Sequence, residues 1–427
     1  MIHRLEIGRR KPLTIMIVAG EASGDKHGAG LARELFKLKA PEPIHIFGSG
    51  GEEMRSAGVE TLVDARDVAI MGVLEIARSL GRFYKAYRTL VSAAISRKPD
   101  VVVLIDWPDF NLRLARRLHQ YGVRVVYYVS PQVWAWRRYR VNAIRRYVNR
   151  MLVILPFERE FYQNAGIDAE YVGHPLVGSV RVTLSRSEFA ERHGLDPSRA
   201  IVSLLPGSRG KEIEYHVPPM LDAARILVET GINWAGLVPS VEGGARHIDT
   251  GAGDPRSAKG GAQQPQFVIP LASTVDREQV RSLVQRSGVK VTLIDHDAYD
   301  ALGHSCFAIV ASGTATIETA LIGTPLVIVY KGSELNWRLI RPLIHLDTFG
   351  MANLIAGRKI IPELIQHDLT GANIAEQVLS ILGSPERLAG MRDDLAEVCR
   401  RLNSGGEAGY ERAARSVLNC VLDQAGK

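Results

Sequence analysis

The chain has 427 residues, too many for one ordinary hydrophobic core and about right for two α/β domains of ~150–200 residues each. With 46% hydrophobic and 23% charged residues it is excluded from general disorder, and it contains no uninterrupted apolar run of about 18 residues that would cross a membrane. The net charge of +7 and pI near 9.3 suit phosphorylated substrates, anionic lipid or nucleic acid, but the lack of zinc-finger spacing and of an aromatic RNP pattern argues against nucleic acid.

In chain order, residues 1–12 are basic and lead into no signal-type apolar core, so a cytoplasmic protein is expected. Strand-like runs at 15–19, 44–47, 101–105 and 123–129 alternate with helical spacing at 26–37, 73–97 and 112–120. The runs are rich in Val and Ile with little alternation, which predicts parallel strands buried on both faces and a doubly wound domain. A short strand at 170–172 precedes Gly173-His174-Pro175, where His174 reads as structural, and the polar stretch 179–199 carries the crossover to a second domain. There the rhythm restarts with strands at 201–205, 268–269, 291–294, 307–311 and 326–330. Residues 240–266 hold six glycines and almost no large apolar side chain, so they read as a flexible surface insertion. Beyond Pro385 the chain is helical, and the apolar stripe Val417, Leu418, Val421 and Leu422 must pack on the first domain or on a second subunit. Cys306, Cys399 and Cys420 are too few and too scattered for a disulfide framework or a metal site, as in a reducing compartment.

Chemistry is expected past the carboxyl ends of the strands. Gly20, Gly24, Gly28 and Gly30 open a strand-to-helix turn that carries Glu21 and Asp25. Carboxylates there suit sugar hydroxyls, while Asp25 reads equally well as a helix cap. Strand 101–105 delivers Asp106-Trp107-Pro108-Asp109; either acid can take a hydroxyl proton, and the alternative is a turn fixed by Pro108. Ser208 and Arg209 sit in a small-residue turn after strand 201–205, where arginine can grip a diphosphate bidentately. A second such turn holds Ser312, Gly313, Thr314 and Thr316, and Glu318 can take vicinal ribose hydroxyls. Each turn alone is a capped helix. Two in one domain, one with an arginine, point to a nucleoside diphosphate.

Asp295-His296-Asp297 spells a short, common D-x-D triplet, and no metal is predicted from it. The helix from Val73 carries the apolar stripe Val73, Ile76, Ala77, Leu80, Phe83, Tyr84, Tyr87 and Val91, with Arg78, Arg82, Lys85 and Arg88 on another face. With 134–150, which holds Trp134, Trp136 and clustered arginines, this describes a surface docking on anionic lipid through 68–88 and 134–150; a core helix with a solvated basic side is the plainer alternative.

Six blocks in order, AGEASGD (19–25), DWPDFN (106–111), YVSPQVWAW (128–136), LPGSRGKEI (205–213), SGTATIE (312–318) and NLIAGR (353–358), resemble the signature blocks of lipid-A-disaccharide synthases, and the resemblance runs from about Leu13 onward. It implies a GT-B fold, α/β with two Rossmann-like doubly wound domains and an interdomain cleft. Residues 1–177 would bind acceptor and lipid, 178–400 the UDP-sugar, and 401–427 would form a terminal helix. The implied reaction condenses UDP-2,3-diacylglucosamine with 2,3-diacylglucosamine 1-phosphate to a β-1′,6-linked disaccharide 1-phosphate and UDP, with inversion and without metal or cofactor. The resemblance puts the catalytic carboxylate on Asp109, with Asp100 and Glu21 in the acceptor half, and nucleotide contacts on Arg209, Glu318 and Asn353. It also implies peripheral association with the cytoplasmic face of the inner membrane, acyl chains near 68–80, and subunit association through the C-terminal segment. The 240–266 insertion departs from the family pattern. The rivals are another GT-B enzyme, such as a peptidoglycan lipid glycosyltransferase or a UDP-sugar epimerase, and a non-catalytic nucleotide or lipid carrier.

Overall fold

The Val- and Ile-rich runs form parallel strands, and nearly every residue in the central ones is buried. The computed structural model describes residues 12–40, 42–68, 76–135, 137–230, 232–242, 245–248, 264–272, 274–344, 346–403 and 409–422. The chain divides into two compact units, Met1–Val177 with Asn403–Lys427, and Gly178–Leu402.

Unit 1 contains β1 (Leu13–Val18), α1 (Ala22–Lys37), β2 (Ile44–Gly50), α2 (Glu52–Ser56), β3 (Glu60–Asp64), α3 (Ala65–Val68), α4 (Ile76–Arg97) and β4 (Val101–Ile105). It continues with α5 (Pro108–His119), β5 (Val125–Tyr128), α6 (Arg140–Tyr147), β6 (Arg150–Val153), α7 (Pro156–Asn164) and β7 (Ala169–Tyr171). The all-parallel sheet runs β3-β2-β1-β4-β5-β6-β7, so the chain reverses direction across the sheet between β1 and β4. Met16, Val18, Val102, Leu104 and Tyr127 from the strands pack against Leu90 of α4, Leu114 of α5 and Ile144 of α6.

Several elements differ from the sequence-based expectation. α5 begins at Pro108 rather than Leu112, because proline suits the first helical position, where its missing N–H has no partner anyway. Asp109 is therefore in the first helical turn, not in a loop before the helix. β3 and β6 are additional strands; the latter is short and lies at the end of the basic 134–150 segment. Residues 69–75, near the start of the stretch 68–88 expected to face lipid, lie outside the described residues.

Unit 2 contains α8 (Arg186–His193), β8 (Ile201–Leu205), α9 (Gly210–Glu229), β9 (Pro239–Glu242), β10 (Ala245–Ile248), β11 (Gln266–Leu271), α10 (Arg277–Ser287) and β12 (Val291–Asp295). Then come α11 (Ala298–His304), β13 (Phe307–Ala311), α12 (Thr314–Ile322), β14 (Leu326–Tyr330), α13 (Glu334–Ile340), α14 (Met351–Ala356), β15 (Glu363–Ile365), α15 (Gly371–Leu382) and α16 (Pro385–Leu402). Its parallel sheet runs β12-β11-β8-β13-β14-β15, so the reversal falls between β8 and β13. The expected surface insertion opens as an antiparallel β9–β10 ribbon, a structure its glycine content did not announce, and 249–263 lie outside the described residues.

The terminal helix α17 (Gly409–Leu422) belongs to unit 1, where it lies on α1 and β4. Ala413, Ala414, Val417, Leu418 and Val421 are buried there. Arg124 donates to the Cys420 carbonyl (2.7 Å) and Arg412 to the Tyr171 carbonyl (2.8 Å). Of the two destinations open to the apolar stripe, the first domain is the one it takes. Leu422, the last residue of the stripe, stays exposed.

Candidate active site

In unit 1 the acidic residues gather where the sheet order reverses. The register of β1 on β4 pairs Val18 with Leu104, so Gly20 and Glu21 follow one strand beside Asp106 following the other. Asp106 and Trp107 both adopt left-handed backbone, with φ of 45° and 46°. Each such non-glycine residue costs about 1–2 kcal/mol, which surrounding contacts must hold in place. They do so directly: the Asp106 carbonyl accepts from Asn111 Nδ2 (2.8 Å) and from the Tyr127 hydroxyl (2.5 Å). The Trp107 ring stacks on Phe110 at 3.9 Å and meets the edge of Phe83 at 5.8 Å. It also covers Gly20, where a Cβ would lie 2.2 Å from the indole, so the turn tolerates only glycine there.

Burial, reinforced by the neighbouring Glu21 carboxylate, pushes the Asp106 carboxyl up to about 6. Glu21 itself is exposed. Asp109, one turn into α5, is two-thirds exposed and ion-paired to Arg137 (3.3 Å) and to Arg140, whose side chain is buried. Glu21, Asp106 and Asp109 thus share one end of the sheet.

Asp100 does not join them. It precedes β4, where Oδ2 accepts from the Thr14 N–H at 2.7 Å and its own N–H donates to the Thr14 carbonyl at 2.8 Å. Five residues of strand, roughly 17 Å at ~3.3 Å per residue, separate it from Asp106. Its observed work is to tie the first turns of β1 and β4 together. Asp25 is likewise settled by its contacts: buried, it accepts from the N–H groups of Gly51 (2.6 Å), Glu53 (3.0 Å) and Met54 (3.2 Å). It caps α2, not the helix that carries it. Part of the 134–150 segment also turns inward: Trp134 is buried and donates to Glu158 (3.0 Å), while Arg137, Arg138, Arg145 and Arg146 stay exposed. Burial pushes the Glu158 carboxyl up to about 7, against the pull of the indole N–H.

In unit 2 a cavity of about 370 Å³ opens at the carboxyl ends of β8 and β13. Ser208, Arg209, Ser312, Gly313, Thr314 and Glu318 line it together. Gly207, at φ 113°, allows the chain to turn into α9. Glu212 then accepts from the Ser208 (2.9 Å) and Arg209 (3.2 Å) N–H groups, while the exposed Arg209 guanidinium meets its other oxygen at 3.2 Å. Glu212 was legible only as part of the 205–213 block, although a glutamate three residues into a helix is a capping signature. Thr314 and Ala315, the first residues of α12, whose N–H groups have no carbonyl one turn behind them, also line the cavity, a setting for negative charge. Glu318 accepts from the Tyr299 hydroxyl at 2.9 Å.

Two expected nucleotide residues stand apart. Thr316 is buried and donates back to the Gly313 carbonyl (2.8 Å), closing the helix turn. Asn353 is buried too, accepting from the N–H groups of Ile360 and Ile361 (both 2.9 Å) and donating to the Ile361 carbonyl and to Glu363. Both amide ends are spent on the loop before β15. In the D-x-D triplet, Asp295 pairs with Arg277, and Asp297 with Arg192 and His193 (both 3.0 Å).

The model of the family described as Lipid-A-disaccharide synthetase matches residues 15–254 and 255–414. A lipid-A-disaccharide synthase of Koribacter versatilis is 44% identical over 95% of this chain and 98% of its own length. Proteins of the same name from Geobacter sulfurreducens and Myxococcus xanthus are 41% and 42% identical over at least 96% of both chains. Among solved structures, the UDP-GlcNAc 2-epimerase of Neisseria meningitidis bound to UDP-GlcNAc superposes with a TM-score of 0.58 at 12% identity, covering 96% of this chain and all of that one. The calicheamicin glycosyltransferase CalG4 gives 0.57 at 15% identity, over 98% of this chain and all of that one. At such identities the likeness concerns the fold alone, two Rossmann-like units of the GT-B kind.

Proposed function

The chain belongs to the lipid-A-disaccharide synthase family, and on that premise we propose how its residues divide the work of the reaction. The enzyme is a glycosyltransferase. It condenses UDP-2,3-diacylglucosamine with 2,3-diacylglucosamine 1-phosphate, giving lipid A disaccharide 1-phosphate and UDP. The acceptor hydroxyl attacks the anomeric carbon as the bond from that carbon to the UDP phosphate oxygen breaks, a single displacement that inverts configuration. The hydroxyl proton must leave, and the departing UDP gains negative charge.

The cavity of unit 2 carries this reading. Arg209 and the first N–H groups of α12, at Thr314 and Ala315, stabilise the charge growing on UDP, with Ser208, Ser312 and Gly313 shaping the cradle and Glu318 directed to ribose hydroxyls. Because Glu212 holds the α9 N-terminus, the diphosphate is received at α12 and by Arg209 rather than by the amides of Ser208 and Arg209. Thr316 and Asn353 support this cradle from behind. In unit 1, Glu21 and Asp109 serve the acceptor; Asp100 is left out because it lies at the opposite end of its strand.

Contact with an anionic lipid surface is proposed for the outer face of α4, where Arg82, Tyr84, Lys85 and Arg88 are exposed and Arg88 lies 5.9 Å over the Tyr84 ring. No described helix is long and apolar enough to cross a membrane.

The experiment is an assay with radiolabelled 2,3-diacylglucosamine 1-phosphate and its UDP-activated donor. Labelled disaccharide is expected. Donor consumed to an epimer in the absence of acceptor would reject transfer.

A further inference from the structure

We propose that the acceptor's proton is taken by Asp106, working as a pair with Glu21, and that Asp109 orients the acceptor instead of serving as the base. The inference rests on the transfer reaction proposed above and assigns its proton.

Geometry separates the two candidate acids. Asp109 is held between two guanidinium groups, Arg137 and Arg140, and Arg140 is buried behind it. Both of its oxygens are already engaged, Oδ1 by Arg140 and Oδ2 by Arg137. It is well placed to hold a sugar hydroxyl in a fixed direction. Asp106 is built the other way. It lies deeper, follows the strand next to the one leading into Glu21, and has a second carboxylate for a neighbour instead of an arginine. The charged and titratable groups around it are Glu21 from the β1–α1 turn, Tyr127 from β5, whose hydroxyl is spent on the Asp106 carbonyl, and, farther off, Asp109 of α5 with Arg137 ahead of α6 and Arg140 at its start. Its carboxyl lies near 6, so it is ionised at neutral pH yet gains a proton readily.

The strained backbone has a purpose on this reading. Two successive left-handed residues, clamped through one carbonyl by Asn111 and Tyr127, hold the Asp106 backbone fixed at the end of β4, beside the strand that leads into Glu21. In the reaction the hydroxyl oxygen forms its bond to the anomeric carbon, the bond to UDP breaks, and the hydroxyl proton moves to the Asp106 carboxylate. Exposed Glu21 then lets the proton pass to water, which restores the base.

The test compares pH–rate profiles of kcat/KM for the full-length enzyme and three variants. The wild type should lose rate on acidification with a limb near pH 6. D106N should lose about 10²–10⁴-fold in kcat with little change in either KM, its fold checked by circular dichroism and by unchanged UDP affinity. D109N should be slower, with a raised acceptor KM, but keep the limb. E21Q removes the neighbouring charge at an exposed position and should move the limb to lower pH. A D106N enzyme retaining more than about half its turnover, or a limb that vanishes in D109N and stays put in E21Q, overturns the proposal. If D106N fails to fold, the E21Q shift decides. Absence of disaccharide with the wild type would instead overturn the proposed reaction itself.

Discussion

Asp25 illustrates how a single carboxylate can belong to the scaffold of a site without belonging to its chemistry. Three backbone N–H groups converge on it in a buried setting. D25N keeps the shape but replaces one acceptor oxygen with a donor facing those N–H groups. A loss of about 1–3 kcal/mol is expected, read as a lower urea midpoint for unfolding. Asp109 is the contrasting case: exposed, helical and ion-paired. D109N should cost roughly 10²-fold in turnover by letting the acceptor shift, while UDP titration calorimetry shows unchanged affinity, since the cavity lining lies entirely in unit 2. The sequence set Glu21, Asp106 and Asp109 after the strands at 15–19 and 101–105, and in the structure they follow β1 and β4. It could not separate Asp100 or Asn353 from them. Their roles follow from which backbone groups they meet, and a short polar side chain looks the same in sequence whether it meets a substrate or a loop.

The packing of α17 joins three elements through titratable side chains. His27 of α1 lies 3.2 Å from the Tyr410 hydroxyl of α17, and His174 follows β7. Burial pulls both imidazoles down from the usual 6.5, His27 to about 4 and His174 to about 3, with Lys26 adding to the first and His27 to the second. The unfolded chain therefore binds protons below pH 6.5 that the folded unit refuses. Their contribution is complete above that pH and is lost as the pH falls toward 4 and then 3. Urea midpoints should decline across this window, and a H27Q/H174Q double variant should decline less steeply; parallel slopes would contradict the assignment. Elements of this kind were partly legible. The Val-rich strands announced themselves through continuous apolar runs; β6 carries such a run in Met151, Leu152 and Val153 but was passed over behind the basic segment, whereas β3, half-buried at the sheet edge, lacked the signal. The helix start at Pro108 was hidden because the spacing of apolar residues begins only later in α5. That α17 docks on α1 and β4 was beyond reach, since an apolar stripe specifies only that something must cover it.

At the level of the whole molecule, the two sheets share one plan, each reversing direction between its first strand and its fourth. That plan was readable because the strand–helix rhythm stops and restarts along the chain. The net charge of +7 and the basic outer face of α4 lead to a further expectation. The protein should float with vesicles containing anionic phospholipid and much less with neutral ones, and about 0.5 M salt should release it, because counterions screen such charges within roughly 5 Å. Charge reversal at Arg82, Lys85 and Arg88 should abolish flotation while sparing the urea midpoint; equal flotation on neutral vesicles would refute the electrostatic account.

The position of α17 also bears on biosynthesis. A ribosome emits the first seven strands, then all of unit 2, before the segment that covers α1 and β4 emerges. Throughout that interval the nascent amino-terminal layer stands with an apolar groove open, a natural substrate for chaperones that grip greasy surface. Pulse-chase proteolysis should find this layer vulnerable until translation finishes, and resistant soon after.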